Sequence, residues 1–435
     1  MTKTMIGRVC FVAALAATVA FAQQNEMRRC ESESNGDRRA AGNAVVFWNE
    51  VAYHSIAELG GRGNALASVE IAIVHTAVYD AVNAVCGYRF TPYAVTPEVR
   101  RPALPEAAVA AAAHDVLVAL YPGQQEELDR KYAKFLEAIP GHHRAKLNGV
   151  AAGRQAAAGI LDLRANDGRY AGPPWDPPEP GPGVWERTPP GYLAPATPWI
   201  RDVTPWTMAS PSQFRVPPPP DLNSDVWVRD YQETKDYGGE VSYFRTAEQT
   251  DLARFIGAVG VSGVMQWNDA SRGIASDQGL STLDAARLFA MLFTALSDAY
   301  IACWDSKFTY AFWRPVTAIR AGGGNPSLEA DPDWIGLVIT PNHPEYPAAH
   351  GCLSGAVVAT LQAYFGTDEL SFTMSSVAPE LIQPVRQYNS FNQALEDILN
   401  ARIYGGMHYR SSTEYGSGLG RQVARQIVEN FFLPQ

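Results

Sequence analysis

Sixteen of the chain's 31 prolines fall between Pro173 and Pro220. Proline lacks an amide hydrogen and has a fixed φ, so neither a regular helix nor a central strand can run through such a stretch. The regular structure of this 435-residue chain must lie on either side of it. A solvated linker would be poor in large rings, yet Trp175, Trp185, Tyr192, Trp199, Trp206 and Phe214 are interspersed among the prolines. Residues 171–222 therefore read as an ordered, irregular strap laid over helices and bordering a site.

Helical periodicity marks both flanks. In Ala65–Val85, Val69, Ile73, Ala77, Ala81 and Val85 recur every fourth position, and Ile71, Val74, Val78 and Val82 widen the stripe. This predicts a mostly buried helix. His75, Tyr79, Asp80 and Asn83 lie on it as core polar groups, and the one-turn spacing of His75 and Tyr79 predicts a mutual contact. Leu104–Leu120 is a second helix, stopped by Tyr121-Pro122-Gly123. Gln124–Leu136 and Ala145–Arg164 follow, the latter rich in small residues suited to close packing. Beyond the strap, Thr246–Val264 is predicted helical with Thr246 as N-cap. Leu283–Ile301, Gly351–Phe365, Phe391–Ile403 and Thr413–Phe432 complete the set. Strand-like alternation is scarce, so the predicted fold class is all-α. An N-terminal bundle over residues 43–170 and a C-terminal bundle over 223–435 are expected to form one compact unit.

A hydrophobic content of 46% with 18% charged residues is sufficient for a large core. The net charge of −10 argues against nucleic acid or an anionic membrane as partner, because both require a basic surface. At the N-terminus, Lys3 and Arg8 precede the apolar run Val9–Phe21 and the small-x-small site Ala20-Phe21-Ala22. This is the pattern of a cleaved secretory signal over residues 1–22, followed by a loose polar segment over 23–42, and it predicts a secreted or periplasmic protein. Cys10 leaves with the signal. Of the remaining four cysteines, Cys30 with Cys86 and Cys303 with Cys352 are both admissible pairs. No later segment reads as a membrane span; the nearest, Leu288–Leu296, is broken by Ser297-Asp298.

Against this acidic background, three segments of the last third concentrate basic groups. Lys307 and Arg314 stand seven apart in Lys307-Phe308-Thr309-Tyr310-Ala311-Phe312-Trp313-Arg314-Pro315. On one helix both would point the same way, with Pro315 ending or kinking it after Arg314. His350 closes Pro344-Glu345-Tyr346-Pro347-Ala348-Ala349-His350. Pro347 suits a helix's first turn, leaving the amides of Ala348, Ala349 and His350 to attract an anion. Arg402 and His408 are six apart, off one helical face, with Gly405-Gly406 between them to turn the chain. Each motif alone has a bland reading: solvated cations, a capping histidine, an ordinary turn. Together they offer three cations and two imidazoles, which is what a buried oxyanion requires.

The ordered set Lys-x6-Arg-Pro, Pro-x-x-His-Gly, Arg-x5-His resembles the superfamily of vanadium-dependent haloperoxidases and type 2 phosphatidic acid phosphatases. Trp313-Arg314-Pro315-Val316-Thr317-Ala318-Ile319-Arg320 and Glu345-Tyr346-Pro347 are similar to its soluble haloperoxidase branch. The resemblance covers roughly residues 298–412. It implies one vanadate per chain, its oxygens held by Lys307, Arg314, Arg402 and the backbone amide of Ala349. His408 would ligate vanadium, and His350 would serve as general acid–base. Hydrogen peroxide, halide and a small organic acceptor would be the reactants, and a homodimer is left open. The alternative within the superfamily is an acid phosphatase that hydrolyses phosphate monoesters through phosphorylated His408. A third reading is an oxyanion-binding protein without turnover. Three positions depart from the family pattern: Ala348 and Ala401 stand where it has serine, and Ala349 where it has glycine. Gly416-Ser417-Gly418-Leu419-Gly420 is partly similar to a nucleotide loop, but no strand is predicted before it.

Overall fold

The computed structural model describes Cys30, residues 43–170, Gly172, and residues 174–258 and 260–435. The signal sequence expected over 1–22 and nearly all of the loose segment expected over 23–42 lie outside the described residues. Cys30 is disulfide-bonded to Cys86, whereas Cys303 and Cys352 are free and buried.

Among the described residues there are thirteen α-helices and one two-stranded antiparallel sheet, so the molecule is essentially all-α. Before the strap come α1 (Ala44–Tyr53), α2 (Asn64–Val85), α3 (Pro105–Leu120), α4 (Gln125–Ala138) and α5 (His143–Leu163). After it come α6 (Asp225–Gly238), α7 (Ala247–Gly257), α8 (Gly263–Asp277), α9 (Thr282–Tyr310) and α10 (Pro315–Arg320). The chain closes with α11 (Ala349–Phe365), strands β1 (Glu369–Ser375) and β2 (Val385–Ser390), α12 (Phe391–Tyr404) and α13 (Arg410–Asn430).

The longest helix, α9, is the axis of the packing: it contacts α2, α11 and α13. Phe289, Phe293, Leu288, Leu292 and Leu296 are all buried along it. Each such side chain removed from water contributes about 1.5–3 kcal/mol. One hydrophobic cluster runs from Ala44 to Phe432 through both flanks of the strap. By length and composition, α2 and α9 could each cross a membrane, contrary to the expectation that no later segment could. Both are core helices, 100% and 94% buried over their most apolar windows. Both lie almost wholly inside the fold, which the short run Leu288–Leu296 understated.

Where the helix reading erred, local chemistry explains it. Thr246 caps α7 with a capping box to Gln249, as its sequence predicts. The helix stops at Gly257, however, and a second one starts only after Ser262 caps α8, so Thr246–Val264 is not continuous. The His75–Tyr79 contact is absent. His75 Nε2 lies 2.9 Å from Asn49 Nδ2 and stacks on Phe293, while Tyr79 donates to Thr91 O. Distant elements, unseen in a helical spacing, supply both partners. The β1–β2 hairpin was not foreseen; it alternates buried Phe372 and Met374 with exposed neighbours.

The strap is irregular apart from a 3₁₀ turn at Pro198–Asp202. Trp185 and Trp206 are buried. Asp298 of α9 fastens the strap: its carboxylate accepts from the amides of Trp206 and Thr207 and from the Thr207 hydroxyl, at 2.6–2.9 Å.

Candidate functional site

A cavity of about 420 Å³ opens between the strap and the C-terminal helices. Ala349, His350, Arg402 and His408 line it, together with His343, Tyr300 and Trp304. Its outer walls are Thr188–Gly191, Leu193, Ala196 and Thr197 of the strap, Ile256–Ala258 at the end of α7, and Ile339–Asn342. Lys307 and Arg314 lie behind this lining. The five side chains singled out from sequence therefore converge, although they span a hundred residues.

The routes differ from those expected. Lys307 sits in the last turn of α9, which ends at Tyr310 because Ala311 adopts a left-handed conformation, φ 46°. Arg314 is not on that helix. It is the extended N-cap residue of α10, and Pro315 opens this new helix rather than ending the old one. Pro347 likewise stands outside α11, in a cis peptide with Tyr346; the helix begins at Ala349 with Ala348 as N-cap. The Ala348 amide is taken by Ser412 O at 3.0 Å, so it is not among the free donors. The glycine turn after Arg402 forms as its sequence suggests. Helix α12 ends at Tyr404, and Gly406 has φ 73°. A Cβ at Gly406 would stand 2.3 Å from Gly238 O, so only glycine brings His408 round against the cavity.

The cations are held from behind. Lys307 Nζ donates to Pro344 O at 2.9 Å and Glu345 O at 2.8 Å. Arg314 donates through Nε to His343 O and through Nη1 to Met407 O, with Nη1 3.1 Å from His408 Nε2. Arg402 Nη2 reaches only the weak acceptor Met407 Sδ, at 3.0 Å. Arg402 Nε and His350 Nε2 are buried without a partner. Buried polar atoms are normally satisfied, and both residues line the cavity, so these two atoms mark where a ligand is accommodated.

Charge crowding shows in the proton affinities. Burial, with Arg314 beside it, pushes Lys307 down to about 8, and the same two causes push Arg402 down to about 9. Burial brings Arg314 down to about 10. Burial followed by the neighbouring cations depresses His343, His350 and His408 well below the usual imidazole range. Burial lifts Glu345 to about 7 against the pull of Lys307 and Arg314. An anion placed among these cations would relieve their mutual repulsion. Among the described residues no group of His, Cys, Asp and Glu is arranged to hold a bare metal ion.

Four residues escaped the sequence reading. Glu345 accepts from His408 Nδ1 at 2.7 Å. His343 packs on Trp304, ring centroids 5.0 Å apart, with Nδ1 3.1 Å from Arg314 Nη2. Tyr300 and Trp304 stand one turn apart on α9 and face the cavity on the same side as Lys307, a spacing that a helix extended beyond Ile301 would have revealed.

Residues 287–432 match the family described as "VCPO second helical-bundle domain". The chain is 28% identical over 175 residues to the vanadium chloroperoxidase of Curvularia inaequalis, covering 30% of this chain and 28% of that protein. It thus spans less than a third of the length of that curated relative. A bacterial vanadium-dependent iodoperoxidase superposes with a TM-score of 0.76 at 23% identity, covering 90% of this chain and 97% of the other. A bacterial vanadium-dependent chloroperoxidase in its holo form gives 0.65 at 19% identity, covering 84% and 91%. At these identities the solved structures establish a shared fold.

Proposed function

From the membership of this chain in the superfamily of vanadium haloperoxidases and type 2 phosphatidic acid phosphatases, we propose that it is a vanadate-dependent haloperoxidase-like enzyme, oxidising halide with hydrogen peroxide. The observation that carries this reading is the meeting of Arg402, His350 and His408 on one cavity, backed by Lys307 and Arg314, with Arg402 Nε and His350 Nε2 unpartnered. Two unsatisfied buried groups beside three buried cations suit a compact oxyanion. Bound vanadate would supply a Lewis-acidic centre that activates peroxide toward attack by halide.

The chain's own residues would divide the work. Lys307, Arg314 and Arg402 hold anionic oxygens, the arginines through planar forks that bind such oxygens in pairs. The amide of Ala349, at the first position of α11, adds a donor at a helix N-terminus. His408 would hold the bound group through Nε2. His350, held neutral by burial and the nearby cations, would act as the general acid–base group, moving a proton at Nε2. Leu193, Ile256 and Ile339 give the outer cavity apolar walls suited to a small organic acceptor. The Cys30–Cys86 disulfide supports a secreted or periplasmic location, where such bonds persist.

A phosphatase reading is favoured by one specific feature. A histidine backed by a carboxylate on Nδ1, as His408 is by Glu345, is also the arrangement of a nucleophilic imidazole. One set of assays separates the readings. The purified protein would be tested for peroxide-dependent halide oxidation with added vanadate, and for phosphate monoester hydrolysis without it. Halide oxidation restored by vanadate and suppressed by phosphate supports the first reading. Hydrolysis alone supports the second. Oxyanion binding with neither activity would replace both with a binding role.

A further inference from the structure

Glu345 is a fully buried carboxylate at the centre of the cationic cluster. Its backbone is fixed on both sides: its amide donates to Phe312 O at 2.9 Å, and its carbonyl accepts from Lys307 Nζ at 2.8 Å. Its side chain uses only one oxygen. Oε1 accepts from His408 Nδ1 at 2.7 Å and from the Tyr409 amide at 3.2 Å, while Oε2 has no partner.

These contacts determine which ring nitrogen of His408 carries the proton. A guanidinium has donors and no acceptor, so Arg314 Nη1, 3.1 Å from His408 Nε2, requires a lone pair there. The ring proton is then on Nδ1, where Glu345 Oε1 accepts it. We infer that Glu345 is a positioning residue whose carboxylate holds His408 as the Nδ1–H tautomer, keeping the Nε2 lone pair turned toward the oxyanion cradle. A carboxylate on the far nitrogen also makes the Nε2 lone pair more basic. This deepens the function proposed above and rests on it only for the identity of the anion.

The test uses two variants of the full chain. Glu345→Gln keeps an acceptor: its amide oxygen can stand at Oε1 and serve both Nδ1–H and the Tyr409 amide. Glu345→Leu removes the acceptor at similar size. Two-bond nitrogen–proton correlation spectra of the ligand-free protein, with His408→Gln identifying the resonance, report the tautomer directly. The wild type and E345Q should show a protonated Nδ1 and a bare Nε2, and E345L should lose that signature. Inorganic vanadate, and phosphate as a second probe, would be titrated calorimetrically. Kd should rise about tenfold or more in E345L and much less in E345Q. A protonated Nε2 in the wild type overturns the inference, and so does an E345L protein with unchanged tautomer and affinity. Should E345L not fold, the wild-type and E345Q spectra still decide it. A wild type that binds neither anion defeats the proposed function, while the ring signature continues to judge Glu345.

Discussion

Arg402 is the cation with the least support from the protein, holding only a thioether contact and a buried, unpartnered Nε. Its interactions are therefore reserved for a ligand. Arg402→Ala should weaken vanadate or phosphate binding about tenfold to a hundredfold, since hydrogen bonds to charged groups contribute roughly 1.5–3 kcal/mol. Calorimetric titration checks this. Ala348 offers the opposite experiment. Its methyl stands where the family has a hydroxyl, beside the cavity-lining Ala349. Ala348→Ser should tighten vanadate binding by about tenfold, by restoring one donor to the anion; an unchanged Kd would show that the cradle is already saturated. At this scale the sequence was highly legible, because five side chains in ordered motifs carried the site. Glu345, His343, Tyr300 and Trp304 were not, because their roles depend on which ring or guanidinium each one faces. No spacing encodes the 2.7 Å contact between residues 345 and 408.

His350 lies in the first turn of α11 and His408 two residues before α13, so the mutual approach of these helices sets the distance between them. Glycines make the approach close. A Cβ at Gly355 would lie 2.4 Å from Ser417 O, and one at Gly420 would lie 2.1 Å from Cys352 O. Gly351 and Gly416 repeat the arrangement one turn earlier on each helix. The glycine-rich run 416–420, partly similar to a nucleotide loop on paper, is thus a helix–helix contact. Gly420→Ala should destabilise the fold by about 1–3 kcal/mol through overpacking. It should also lower oxyanion affinity, because the two histidines are forced apart; thermal unfolding and titration measure the two effects. Away from the site, His114 on α3 bridges Asp115 and Asp129 of α4, both at 2.8 Å. Burial opposes its charge, but the two carboxylates prevail and hold it above its ordinary value of 6.5. Its contribution is full below that ordinary value and lost as pH rises through the raised one. His114→Gln should therefore lower Tm more at pH 5 than at pH 8. Helix existence was readable from apolar spacing. The break at Gly257 and the start of α10 at Pro315 were not, since capping at Ser262 and the left-handed Ala311 operate against the apolar pattern.

For the molecule as a whole, the decisive link is the one between strap and core. Asp298 is buried in α9 and accepts three hydrogen bonds from Trp206 and Thr207. Asp298→Ala would strand those buried donors, at about 1–3 kcal/mol for each one left unmade. The variant should unfold at lower temperature, and its strap should be cut by protease before the helices are. Intact wild-type-like resistance would show that the strap's other ties, such as the Arg215–Asp305 ion pair at 2.6 Å, suffice to hold it. The proline count announced this segment, but the residue that fastens it lies some ninety positions away.

The cavity is thus assembled from two kinds of material. Its floor is made of helix ends locked to one another through buried charges, where almost any exchange disturbs several partners. Its rim is a proline-rich ribbon with few amides to lose and no regular ladder to break. Such a rim can accept new side chains, or a different length, while the floor stays as it is. Molecules admitted to the chamber can therefore be retuned by grafting loops between relatives, with the chemistry beneath left intact.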